Sequence, residues 1–239
     1  MSPFRPRPAA DTTSWNCSDM YRITIPAEEI DNMPLVSFPG SISVIEETGA
    51  AFDKAVAYLR RQKVIGFDTE SRPSFSADQP HYGVSLLQLS GATKAYLFRI
   101  KKCGMPASLC RLLSDPRIVK VGAAVHDDLR GLKRLHGFEP GSFVDLQKIG
   151  WEYGIRDKAV KKMAANILGI RISKTQQLSN WEAERLSEAQ QRYAATDAWV
   201  CREMYLRLLR SEKHPLTPEQ LLPNPVKTES NDQGHTEER

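Results

Sequence analysis

An α/β domain built on a mixed sheet is the fold class this sequence predicts, and three observations lead to it. Short apolar runs rich in Val, Ile, Leu and Phe, bounded by turn residues, alternate with segments whose apolar residues recur at helical spacing. Two of the strand-like runs are joined directly as a hairpin, the others are separated by helices, and helices accumulate towards the C-terminus. The 239 residues are 41% hydrophobic and 26% charged, enough for one sizeable core and ordinary for a soluble globular protein.

Residues 1–20 carry prolines and basic residues without an apolar stretch, so they read as a tail and not as a secretory signal. "SISVIEE" (41–47) is a first strand, and "GAAFDKAVAYLRRQ" is a helix through Phe52, Val56 and Leu59. "KVIGFDTE" (63–70) is the second strand, followed by a loop of turn residues, "RPSFSADQPHYG". "VSLLQLS" and "KAYLFRI", joined by "GAT", form the hairpin, and "CGMPASLCRLLSDP" is helical. "RIVKVGAAV" is the fifth strand and "HDDLRGLKRLHG" the helix after it. The rest is helical: "DLQKIGWEYG", "DKAVKKMAANILG" and a long final helix, "SEAQQRYAATDAWVCREMYLRLLR". Residues 211–239, dominated by proline and polar residues, read as a second tail, which leaves 21–210 as the folded domain.

No run approaches the ~18 apolar residues of a membrane span, so no membrane partner is expected. Cys17, Cys103, Cys110 and Cys201 form no CxxC pair and read as reduced thiols of an intracellular, cytoplasmic protein. A net charge of +4 permits a polyanionic partner without requiring one. Residues 156–174 concentrate Arg156, Lys158, Lys161, Lys162, Arg171 and Lys174 against Asp157 alone. A solvated helix face is the plain reading of that run, and a surface for phosphates the functional one.

Three carboxylate placements resist a plain reading. Asp68 and Glu70 end an apolar strand one residue apart, so they share a face, where like charges repel and resist desolvation. In the last helix Ala189, Tyr193, Asp197, Val200 and Met204 lie on one face that is apolar at both ends, which carries Asp197 inward one turn after Tyr193. Asp127 and Asp128 open a helix, where capping accounts for one of them. An aspartate paired with a core arginine would explain Asp197 alone. Convergence of all the acids at one end of the sheet explains the set, because divalent cations of the Mg2+ or Mn2+ type would neutralise it. No histidine or cysteine cluster competes for a softer metal.

These residues resemble the motifs of the DEDDy-type 3′–5′ exonucleases, the group of RNase D and the Werner-type exonuclease domain. "FDTE" is similar to the first motif through Asp68 and Glu70. "VGAAVHDDLRGL" is similar to the second, where the register from Gly122 selects Asp128 over its neighbour Asp127. "YAATDAW" is similar to the third through Tyr193 and Asp197. The resemblance covers about residues 44–209. It implies an RNase H-like fold, a mixed five-stranded sheet flanked by helices. It also implies a metal-dependent exonuclease that hydrolyses phosphodiester bonds of nucleic acid with a free 3′ end by a two-metal-ion mechanism. Asp68 would bridge two Mg2+ or Mn2+ ions, Glu70 and Asp197 would complete one site, and Asp128 would hold the other. Tyr193 would orient the attacking water, and the basic run at 156–174 becomes a track for the substrate backbone. The short stretch after the last helix tilts the expected substrate towards DNA over RNA.

Two other classes fit the sequence less well. A nuclease-like domain that binds nucleic acid or protein without cutting would be marked by lost acidic ligands, and all four are present. A dinucleotide-binding domain would need G-x-G-x-x-G after its first strand, where this chain has "DTESRPSF".

Overall fold

The computed structural model of the protein describes residues 20–76 and 82–222. Six strands make one mixed sheet: β1 (Ser41–Ile45), β2 (Val64–Ser71), β3 (Val84–Ser90), β4 (Lys94–Arg99), β5 (Val119–Gly122) and β6 (Phe143–Asp145). Their order is β1-β4-β3-β2-β5-β6. β2, β3 and β4 are antiparallel neighbours, while β1 joins β4, β5 joins β2 and β6 joins β5 in parallel. The helices are α1 (Ala27–Asp31), α2 (Ala50–Leu59), α3 (Ile100–Cys103), α4 (Ala107–Ser114), α5 (Val125–Leu135), α6 (Leu146–Ile149), α7 (Val160–Leu168), α8 (Glu188–Leu208) and α9 (Pro218–Leu221).

Strand alternation divides the apolar residues between two faces. On one face Phe67, Leu87, Leu89 and Phe98 pack with Phe52 and Leu59 of α2, Leu109 and Leu113 of α4, and Leu132 of α5. On the other, Leu86 and Leu97 pack beneath Ala194 and Ala195 of α8. Further along α8, Val200, Met204 and Leu208 join Val121 and the Met163 and Ile167 side chains of α7. The α8 start is fixed by a capping box in which Ser187 and Gln190 bond each other's backbone N–H. Small residues along α8 let it lie directly on the sheet. Gly66 completes the fit, since a Cβ there would stand 1.7 Å from the carbonyl oxygen of Ala198.

The structure corrects the expected strand number from five to six. β6 has three residues, too few to show alternation, and only its parallel ladder to β5 reveals it as a strand. The "DLQKIGWEYG" segment divides into α6 and a 3-10 turn, Gly150–Tyr153.

The start of the expected C-terminal tail is packed onto the domain. Leu216 is buried and its N–H bonds the Trp151 carbonyl, while Arg156 donates to the carbonyls of Gln220 and Leu222. The few apolar residues of this stretch, Leu216, Leu221, Leu222 and Val226, are scattered among prolines and polar residues without periodicity, which hides this contact from the sequence. Residues 1–19 and 223–239 lie outside the described residues.

Candidate active site

β2 carries Val64, Gly66, Asp68 and Glu70 towards α8. The contact of Gly66 with Ala198 presses α8 onto this strand beside the neighbouring Asp197. Asp68, Glu70 and Asp197 thereby bring one carboxylate oxygen each within 4.8 Å of the others. Tyr193 stands one turn before Asp197, near enough for its hydroxyl to lower the Asp197 pKa, and its ring lies 6.0 Å from that of the buried Trp181.

Asp128 comes from the opposite layer. α5 packs on the other face of the sheet, and the Asp128 carboxylate reaches the end of β2 by accepting a 2.6 Å hydrogen bond from the Thr69 hydroxyl. It stands outside the close triple of oxygens. Asp127 points away, with its side chain 76% exposed and Arg130 at 3.5 Å. The α5 helix starts from Ala124 in the left-handed region (φ 58°), whose N–H donates to Asp145.

Burial is the first influence on every acid of the set. It raises Asp68 well above the carboxylate range, reinforced by the charges of Asp197, Glu70 and Asp128. Glu70 rises to about 8 through burial and the same repulsion from Asp197 and Asp128. Asp197 rises to about 7, held back by the Tyr193 hydroxyl, and Asp128 to about 6, held back by Thr69. The Tyr193 hydroxyl is driven upward by burial and by Asp197 and Glu70, so it stays protonated at neutral pH. Half-buried, mutually repelling oxygen donors with no amine or imidazole among them suit a hard divalent cation, and such an ion would remove the repulsion.

The five sequence-predicted residues therefore meet at one end of the sheet, four of them on the α8 face and Asp128 from behind. Gly66 and Thr69 escaped sequence reasoning. A glycine inside a strand does signal close backbone approach, but a hydroxyl between two acids on the opposite face gives no signal of its partner. Three cations of the basic run have partners within the domain. Within it Arg156 ties the C-terminal segment, Lys161 meets Asp31 at 3.6 Å and Lys162 meets Asp157 at 3.3 Å. Beside Tyr193 lies a cavity of about 300 Å³ lined by Ser37, Ser173, Thr175 and Arg192 among others.

Residues 44–211 match the family model described as 3′–5′ exonuclease. The chain belongs to the 3′–5′ exonuclease family. Ribonuclease D of Gluconacetobacter diazotrophicus is 33% identical over 157 residues, 64% of this chain and 39% of that protein. The mouse bifunctional 3′–5′ exonuclease/ATP-dependent helicase WRN is 30% identical over 187 residues, 74% of this chain and 13% of that protein. The exonuclease chain thus spans two fifths or less of the length of these relatives. Both are relatives of the DEDDy type that the three motifs resemble. The crystal structure of Escherichia coli RNase D superposes with a TM-score of 0.62 at 22% identity, over 70% of this chain and 44% of that one. That likeness shows the RNase H-like fold. Among the described residues no helix is long and apolar enough to cross a membrane.

Proposed function

We propose that the protein is a 3′–5′ exonuclease that uses two Mg2+ or Mn2+ ions to release nucleoside monophosphates from the free 3′ end of a nucleic acid. The observation that carries the reading is the close triple of Asp68, Glu70 and Asp197 oxygens, with Tyr193 one turn before Asp197 on the same helix. Asp68, Glu70, Asp197 and Asp128 would hold the ions, with Asp128 reaching in from the α5 layer. Two bound ions would supply an acidified water and neutralise charge on the leaving oxygen.

The chain's own residues supply positioning. Tyr193 is too weak an acid to serve as a base. Its hydroxyl would donate to Asp197 and accept from the attacking water, which would fix the water's line of approach to phosphorus. Water would add to phosphorus as the P–O bond to the 3′-oxygen of the preceding nucleotide breaks, and the proton lost by the water would end, through solvent, on that 3′-oxygen. The cavity beside Tyr193, with Arg192 and several hydroxyls on its wall, is suited to a phosphate and its sugar.

Matched DNA and RNA oligonucleotides, each labelled at its 5′ end and carrying a free 3′ hydroxyl, test the proposal. A ladder shortening from the 3′ end with Mg2+ or Mn2+, abolished by chelation, is the expected result. Full activity in a metal-free preparation would refute the metal-dependent reading, and intact oligonucleotides of both kinds with either metal would refute the activity.

A further inference from the structure

Four buried side-chain polar atoms among the described residues have no hydrogen-bond partner: Oε1 and Nε2 of Gln88, Nε1 of Trp181 and Nε of Arg171. Gln88 and Trp181 share one layer. Gln88 lies on β3 directly opposite Asp68 of β2 on one side and Leu97 of β4 on the other. Leu97 packs in a single cluster with Leu86, Ala194, Ala195 and Trp181, beneath α8.

Gln88 is 0% exposed. An amide buried with neither atom bonded destabilises a fold, and an apolar side chain of the same length would fill the space without that cost. Its retention opposite Asp68 points to a partner acquired when the site is loaded. Residues directly opposite on antiparallel strands have Cβ atoms roughly 4.5–5.5 Å apart, so the Gln88 amide is within a rotamer change of the Asp68 carboxylate.

We propose that Gln88 is a positioning residue for Asp68: its amide nitrogen donates to the Asp68 carboxylate in the metal-loaded protein, and its amide oxygen accepts from the Trp181 indole N–H. The donor and acceptor counts match, one indole donor for the carbonyl and one amide donor for the carboxylate. The bond leaves the remaining lone pairs of Asp68 aimed at the ion. Partners of ligating carboxylates typically contribute about 10–100-fold in metal affinity or activity. The inference rests on the assignment of Asp68 as a metal ligand.

Gln88→Met, which keeps length and removes both polar atoms, tests it. The variant should melt without metal at or above the wild-type temperature. It should bind Mn2+ about 10–100-fold more weakly by calorimetry. Its single-turnover rate should fall while the half-saturating oligonucleotide concentration stays unchanged. Trp181→Phe should weaken Mn2+ binding in the same direction by a smaller factor, and unchanged binding there would overturn the indole half of the pairing. Wild-type Mn2+ binding by Gln88→Met overturns the proposal. So does a metal-free melting temperature well below wild type, because the amide would then be bonded within the fold itself. Asp68→Asn separates the two levels. If it too binds Mn2+ like wild type, the ligand assignment fails; if it alone loses Mn2+, only the role of Gln88 fails.

Discussion

Replacing Gly66 with alanine perturbs the site without touching any of its functional groups. The added Cβ would sit 1.7 Å from the Ala198 oxygen and 2.5 Å from its carbonyl carbon, whereas real Cβ contacts essentially never fall under 3.0 Å. Both obstacles are backbone, so α8 must withdraw from β2 by about 1.3 Å at the residue next to Asp197. Overpacking of this kind costs roughly 1–3 kcal/mol, a fall in melting temperature of about 2–12 °C for a domain of this size. The effect on catalysis should be larger, since a misplacement of ~1 Å can cost about 10²-fold in rate. Single-turnover cleavage at saturating Mn2+, with binding of an uncut oligonucleotide as control, reads the two effects separately. The expected variant is folded, binds the oligonucleotide as wild type does and cuts about 100-fold more slowly. Gly137→Ala, where a Cβ meets nothing within 4 Å, should do neither. A Gly66→Ala enzyme with wild-type rate would refute the argument that this contact sets the spacing of Asp68 and Asp197.

Four further outcomes follow from the same geometry. Glu70 at about 8, Asp197 at about 7 and Asp128 at about 6 all lie above the ~4 of an unfolded carboxylate, so the folded metal-free state binds more protons between those values. The melting temperature without metal should therefore fall as pH rises from 5 to 8, and saturating Mg2+ should flatten that slope; a slope unaffected by Mg2+ would count against the acids as ligands. Asp128→Asn should abolish cleavage while Asp127→Asn, whose side chain is 76% exposed, keeps most of it; the reverse pattern would move the ligand to Asp127. Tyr193→Phe keeps the ring against Trp181 and should cut ~10²–10⁴-fold more slowly, whereas Asp197→Asn should fall further and lose Mn2+ affinity; a Tyr193→Phe enzyme at wild-type speed would make the tyrosine structural. Leu216→Ala should lower stability by about 2 kcal/mol, the low end for a buried leucine near the surface, and an unchanged melt would show that the segment from residue 211 contributes nothing to the fold.

Sequence legibility followed the range over which each feature is encoded. Strands β2, β3 and β4 and helices α2, α5, α7 and α8 were readable because each carries its own periodicity or cap. β6 was not, since three residues become a strand only through pairing with β5. At the site, Asp68, Glu70 and Asp197 stood out because each contradicts the apolar pattern around it, a conflict visible in one dimension. The choice between Asp127 and Asp128 rested on motif register, and the physical reason, the Thr69 hydroxyl, lies 59 positions away. For the basic run, charge in sequence says nothing about which cations meet carboxylates: Asp31 and Asp157 engage two of the six.

Holding repelling acids together requires structure elsewhere that does not yield. α8 cannot drift along the sheet, because its start is capped by Ser187 and Gln190 and its Thr196 hydroxyl accepts the Phe38 N–H at 2.9 Å. The segment leading into it is tied down from the side by the buried Arg99, which donates to the carbonyls of Ala183 and Glu184 and to Glu46. Gly66 sets the approach of helix to strand, and Thr69 brings the α5 layer to the same end of β2. The Thr69 bond is made to the Asp128 carboxylate itself and favours its charged form; the other contacts are neutral hydrogen bonds, close packing or an ion pair away from the site, so they persist whether or not the carboxylates are charged. That separation explains how the four acids can be kept near one another before an ion arrives. Binding of an ion would then relieve repulsion within a frame already fixed, instead of having to assemble the frame, and any gain in metal affinity would come from ordering done by folding.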